Sequence, residues 1–350
     1  MKKYLSNILA FLFGCFLLAC IFLTAELICR LFLFEHEKIT IHEEPSILIP
    51  DSKLGRKLRP DVNGYCKIQK GEKQVIYHYT IDEKGRRITP QEENSQKTKL
   101  ALFFPCSYTF GVGVNDDETF PSYFAKLNPT IKVYNYGMPS GSPQQMYLKV
   151  SEPDFFTEVE SLPCFLVYLF IPHHLDRVSG KFNLIGSWGR RLPCVVLEKD
   201  ELSYKGLFME VYPMQYLLSR LINSSVLMKK IFFISQHDMK LEYKDEDIIL
   251  FVKILEKTKD ILSTYFPELH FVFLFNPGSS NAIPLLRNYL SDLDKFIVID
   301  FSVDEDKSKI VNSLIEKNEY LGIDGHPTPK TNQIMAEWLT QDLKLKGLIP

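Results

Sequence analysis

The chain has 350 residues, 45% of them hydrophobic and 24% charged, with 41 Lys plus Arg against 43 Asp plus Glu. That balance excludes a disordered polar chain. The net charge of −2, with no basic patch or stripe, excludes the electrostatic footprint of a nucleic-acid binder.

From Tyr4 to Ala25 no residue is charged, and Ile8 to Ala25 reads ILAFLFGCFLLACIFLTA. About 20 apolar residues suffice for a helix to cross a bilayer core of roughly 30 Å. Residues 1–34 are therefore read as an N-terminal membrane anchor. Glu26 and Arg30 have the spacing of a helical ion pair with the acid first, so the helix continues past the membrane surface. Lys2 and Lys3 favour an N-terminus inside. Glu35, Glu37, Glu43 and Glu44 follow the apolar run, which puts the body outside the cytoplasm. In a bacterium this is the periplasmic face of the inner membrane. Two other readings stay open. A cleaved signal peptide requires polar sequence after its cleavage site, and here apolar residues continue. Leu17-Leu18-Ala19-Cys20 has the form of a lipobox.

Residues 35–98 read as an extended lead-in broken by turns, with a small β element at Gln74 to Ile81. Residues 99–350 read as the main domain. Five short apolar runs predict strands: Leu100–Phe104, Lys132–Tyr136, Cys164–Ile171, Leu269–Phe275 and Phe296–Phe301. Helical patterns lie between and after them at Phe120–Leu127, Pro143–Val150, Asp245–Phe266 and Pro329–Leu345. Ser142 and Thr328 are candidate caps. Residues 178–240 read as a less regular insertion. Strands alternating with helices predict an α/β fold, a doubly wound parallel five-stranded sheet in three layers. Active-site groups of such sheets lie beyond the carboxyl ends of the strands.

The first strand runs into Pro105-Cys106-Ser107-Tyr108-Thr109-Phe110-Gly111-Val112-Gly113-Val114. A serine there, before a helix, is exposed at the sheet edge and can aim its backbone N–H at an oxyanion. The second strand ends in Asn135-Tyr136-Gly137. The third ends in Pro172-His173-His174-Leu175-Asp176-Arg177. The last helix is preceded by Asp324-Gly325-His326-Pro327. The adjacent histidines have no Asp, Glu or His partners at metal-ligand spacing, so neither a metal nor another cofactor is expected. The seven cysteines contain no CxxC pair. Disulfides remain open for an exported chain.

These blocks resemble the SGNH/GDSL hydrolase superfamily, in particular its membrane-anchored bacterial esterase and acyltransferase relatives. The resemblance spans about residues 50–345, though short blocks carry it. It implies Ser107 as nucleophile, His326 as its base and Asp324 as the carboxylate that orients the histidine. It also implies an oxyanion hole from the N–H groups of Ser107 and Gly137. The family's usual third-block Asn is missing. His174 is the candidate side-chain donor in its place, with Arg177 and Asn135 in support and His173 facing away. Pro105 and Cys106 replace the usual Gly and Asp, which makes Cys106 a rival nucleophile. The family's usual Asp-x-x-His spacing would fall on Ile323, so Asp324 substitutes.

The implied function is ester hydrolysis through an acyl-enzyme, on a small-molecule or glycan ester. An O-acyltransferase or deacetylase modifying a surface polysaccharide is the enzymatic alternative. An inactive module that binds a glycan or a protein is the alternative of another class. The sequence leaves the oligomeric state open.

Overall fold

The computed structural model describes residues 2–32, 39–92, 95–237, 243–277, 286, 289–290 and 295–350. Helix α1 (Lys2–Phe32) leads. It is the one helix among the described residues long and apolar enough to cross a membrane, and none of its apolar window is buried. The lead-in is a set of strands: β1 (Ile39–Glu44), β2 (Leu48–Asp51), β3 (Gly55–Leu58), β4 (Val62–Lys70) and β5 (Lys73–Ile81). β1, β4 and β5 form an antiparallel sheet, and β2 pairs with β3.

Next come β6 (Lys99–Phe104), the short helix α2 (Ser107–Phe110), α3 (Phe120–Leu127), β7 (Ile131–Asn135) and α4 (Pro143–Val150). They are followed by β8 (Cys164–Phe170), α5 (His173–Ser179) and α6 (Phe182–Ile185). The insertion continues with the hairpin β9 (Pro193–Glu198) and β10 (Glu201–Leu207), then α7 (Phe208–Val211), α8 (Pro213–Ser224) and α9 (Val226–His237). The chain closes with α10 (Asp245–Ser263), β11 (Leu269–Phe275), β12 (Ile297–Asp300), α11 (Glu305–Glu316) and α12 (Pro329–Leu345).

The central sheet has five parallel strands in the order β12-β11-β8-β6-β7. Alternate residues of β6 serve the two faces, as the two-residue period of a strand requires. Leu100, Leu102 and Phe104 pack in one core with residues of α4 and α10. Ala101 and Phe103 pack in the other with residues of α3, α11 and α12. The helix starts follow the expected chemistry. Ser142 caps α4 in a box with Gln145, and the Thr328 hydroxyl accepts from the Thr331 N–H at the start of α12.

Two expectations change in detail. The insertion is more regular than its composition suggests, with a β-hairpin and four helices where irregular backbone was expected; residues 238–240 of it lie outside the described residues. The lead-in sheet folds back onto the body. Its core residues Ile47, Val62, Tyr77 and Tyr79 pack with Phe110 of α2 and Met138 after β7. It therefore covers the turn that carries Ser107.

Candidate active site

β6 delivers the chain to the sheet edge. Cys106 is the last extended residue, and Ser107 opens α2. As the first helical residue, Ser107 has a backbone N–H with no intrahelical acceptor. Ser107 as a whole is 8% exposed, so it is largely buried. The helix stops at once at Gly111, in the left-handed region with φ +89°, a conformation that glycine adopts without a Cβ penalty.

The turn is held by a buried arginine from the lead-in. All five N–H donors of Arg87 are used. Nε donates to Asp116 Oδ1 (2.8 Å), Nη1 to the carbonyls of Phe110 (3.0 Å) and Gly111 (2.5 Å), and Nη2 to those of His78 (3.1 Å) and Val114 (2.7 Å). A guanidinium with no exposed surface needs that complete set, because an unpaired buried donor is costly. Sequence reading missed Arg87; nothing in the Arg86-Arg87 pair says which of the two turns inward.

His326 lies beside the same turn. Its Nδ1 is 2.9 Å from Asp324 Oδ2, and its backbone N–H donates to Asp324 Oδ1 at 3.3 Å. Burial works to raise the Asp324 carboxyl, but the hydrogen bonds from His326 outweigh it and hold the group below the usual carboxylate value. A carboxylate on Nδ1 leaves Nε2 as the working nitrogen, the arrangement of a histidine that serves as a base. Tyr108, next to Ser107, packs its ring against His326 at 5.4 Å and donates its hydroxyl to the Gly325 carbonyl at 2.9 Å. A Cβ at Gly113 would lie 3.3 Å from Asp324 Oδ2, so the two loops are in contact. Ser107, Asp324 and His326 thus share one corner of the fold. Among the described residues no hydrogen bond yet joins the Ser107 hydroxyl to the His326 ring.

The expected oxyanion donors fall differently. Gly137 presses on the backbone of Thr109 and Phe110, where a Cβ would come within 2.2 Å of the Phe110 nitrogen. Its N–H is already used, donating to Asn135 Oδ1 at 2.9 Å. Asn135 Nδ2 in turn donates to the Thr109 carbonyl at 3.0 Å. The pair braces the Ser107 turn, and the Gly137 N–H is not free to bind an oxyanion in this arrangement. His174 also departs from expectation. It is fully buried in the core, between the rings of Tyr168 and Phe170, with Nδ1 2.9 Å from the Tyr168 hydroxyl. Burial, with Arg177 and His173 nearby, pushes its pKa well below the ordinary value, so the ring is neutral. His173 exposes its ring and pairs with Asp176 at 3.0 Å.

Arg177 is the third-block residue that faces Cys106, the residue before Ser107. Its guanidinium donates to the Gly141 carbonyl, lies over the Trp188 ring at 5.3 Å and faces the Cys106 thiol. Cys106 is fully buried, and burial pushes its thiol pKa up. It is a protonated core residue, the opposite of an activated nucleophile. A cavity of about 320 Å³ opens between the β2–β3 hairpin and α4, lined by Phe104, Pro105, Tyr136, Met138, Gly141 and Gln145 among others; neither Ser107 nor His326 lines it. Among the described residues no group of His, Cys, Asp and Glu has the arrangement of a metal site.

No family model matches the chain, and no curated protein matches it. Solved structures similar to it include three esterase-type proteins. One is a member of the lipolytic protein G-D-S-L family from Veillonella parvula, 12% identical, covering 69% of this chain and 97% of that one at a TM-score of 0.39. Another is the lipase Lip_vut3 from a goat rumen metagenome, 16% identical, covering 70% and 97% at a TM-score of 0.35. The third is the acetyl xylan esterase Est2A from Butyrivibrio proteoclasticus, 10% identical, covering 88% and 82% at a TM-score of 0.42.

Proposed function

We propose that the protein is a membrane-anchored serine hydrolase of ester bonds, with its body outside the cytoplasm and its acyl-enzyme formed on Ser107. The observation that carries this is the Asp324–His326 pair, at 2.9 Å, set against Tyr108 beside Ser107. A carboxylate-bound histidine has no need to stand at a serine-bearing helix start for stability alone.

In this reading His326 Nε2 takes the proton from the Ser107 hydroxyl as its oxygen attacks the ester carbonyl. The same nitrogen returns the proton to the leaving alkoxide, and water then releases the acyl group by the reverse sequence. Asp324 fixes the tautomer and stabilises the imidazolium. The Ser107 N–H supplies one donor to the oxyanion. The Gly137 N–H supplies a second only if Asn135 gives way. The substrate class in this reading is an ester, small or glycan-borne.

The experiment is labelling with a fluorophosphonate probe followed by peptide mapping. The reading expects the adduct on Ser107 and its loss in Ser107→Ala and His326→Ala. A folded protein that neither labels nor turns over any activated ester would favour the binding module instead.

A further inference from the structure

α8 carries its apolar residues on the wrong side for a soluble protein. Met214, Leu217, Leu218 and Leu221 are exposed, at 66%, 48%, 51% and 58%. At about 100° per residue these four fall within one arc roughly 100° wide. The opposite side holds buried Ser219 and half-buried Tyr216, and there α8 packs on α6. An amphipathic helix whose apolar stripe points away from its own core needs something else to cover it.

What covers it is indicated by the end of the anchor. Twenty residues from Leu5 reach Thr24, which at about 1.5 Å per residue spans roughly the 30 Å bilayer core. Glu26 is the first acidic residue beyond. It is not free in the headgroup layer, because its carboxylate accepts from Ser225 Oγ (2.7 Å), Val226 N–H (2.9 Å) and Leu227 N–H (2.9 Å). It therefore caps the first turn of α9, where a negative charge suits the helix dipole. Arg30 pairs with Glu26 at 2.8 Å and donates to the Ser224 carbonyl at 2.9 Å. The corner between α8 and α9 is thus bolted to the anchor one residue past its apolar run, and Leu221 lies three residues before that corner.

We propose that α8 is a second membrane contact, an in-plane helix whose Met214, Leu217, Leu218 and Leu221 stripe sits in the lipid interface, held there by Glu26. The inference rests on the reading of α1 as a membrane anchor. An amphipathic helix with this pattern lies at the boundary between headgroups and acyl chains. Together α1 and α8 give the body two points of attachment, so it does not swing freely on a single helix. The occupant is the lipid surface, continuous with the one that surrounds α1.

The test uses the full chain in phospholipid nanodiscs with a photoreactive benzoylphenylalanine placed at one exposed position at a time. Leu12→benzoylphenylalanine reports the anchor, the same change at Leu218 or Leu221 reports α8, and at exposed Gln333 it reports background. The expected result is a lipid adduct at Leu12, Leu218 and Leu221 and none at Gln333. Adducts at Leu12 but not at Leu218 or Leu221 overturn the proposal while leaving the anchor in place. No adduct at Leu12 removes the anchor reading and this inference with it. Protein–protein adducts at Leu218 would make the stripe a contact between two copies and overturn the lipid assignment. Glu26→Ala, which frees α9, should lower the Leu218 adduct and spare that at Leu12; an unchanged Leu218 adduct overturns the role given to Glu26.

Discussion

Two segments of the molecule each carry a histidine with a hydrogen bond on Nδ1, one in helix α5 and one in the loop before α12, and their surroundings are opposite. In α5, His174 meets a tyrosine hydroxyl in a sealed aromatic core and is kept neutral. Before α12, His326 meets a carboxylate in a half-open corner. A phenol fixes a ring without stabilising its charge. A carboxylate stabilises the imidazolium that a base becomes when it takes a proton. The difference between a packing histidine and one proposed to act as a base therefore lies in the partner and the exposure.

The sharpest way to break this comparison is to remove the pair proposed to react. Ser107→Ala and His326→Ala should each lower kcat for an activated ester by at least about 10⁴-fold, and the double variant should lose no more than either single, because the residues act as a unit. Steady-state kinetics on the purified full chain decides it. Activity surviving in Ser107→Ala would reopen Cys106, despite its burial.

Much of the frame was readable before the fold was seen. The strands around β6 and β8 are buried on both faces, so their near-continuous apolar runs stand out. Ser142, Thr328 and the adjoining prolines mark helix starts by local chemistry alone. The Asp324–His326 pair was legible for the same reason, since only two residues separate the partners. The partners of Gly137 and His174 were not readable from the sequence. Asn135 takes the Gly137 N–H through a side-chain rotation that no sequence pattern encodes. His174 meets Tyr168 across the strand end, where alternation could place the ring on either side. The insertion was underread although Met214, Leu217, Leu218 and Leu221 of α8 carry the three- and four-residue spacing of a helix.

The next change tests whether the carboxylate makes His326 what it is. Asp324→Asn should keep the ring in place and lower kcat on the order of 10²–10⁴-fold, less than loss of the serine. It should also change the acid stability. The folded pKa of Asp324 is depressed, so the pair stabilises the fold above the ordinary carboxylate value and loses that contribution as pH falls through the lower folded value. Thermal unfolding of the two proteins between pH 3 and 7 should therefore show their difference shrinking in acid. A constant difference would mean that the pair contributes no charge-dependent stability.

The His326 loop packs against the Ser107 turn through Tyr108, and that turn is held by Arg87. Arg87→Met removes the buried guanidinium that donates to Asp116 and to four carbonyls. It should cost about 3–5 kcal/mol of stability, the range for breaking a buried ion pair from one side. Denaturant unfolding measures the loss. Among folded molecules the Ser107 turn should be loosened, so kcat should fall while KM changes little. A loss in stability with normal kcat would make Arg87 a brace for the lead-in sheet alone.

The smallest expected effect on activity belongs to His174. Were it an oxyanion donor, its removal would cost about 10²–10³-fold in rate. In the structure its Nδ1 serves Tyr168 and the ring has no exposed surface, so His174→Gln should hold kcat close to that of the parent. The substitution should instead be visible in the pH dependence of stability. The folded pKa of His174 is depressed below 6.5, so below that value the unfolded chain takes up a proton that the folded one refuses. Stability then falls with pH by about 1.4 kcal/mol per unit for this one group, until its folded pKa is reached. Glutamine keeps a polar partner for the Tyr168 hydroxyl and does not titrate, so His174→Gln should flatten the curve below pH 6.5 while leaving stability above pH 7 little changed. An unchanged slope together with a hundredfold loss of kcat would return His174 to the oxyanion hole and overturn the contrast with His326.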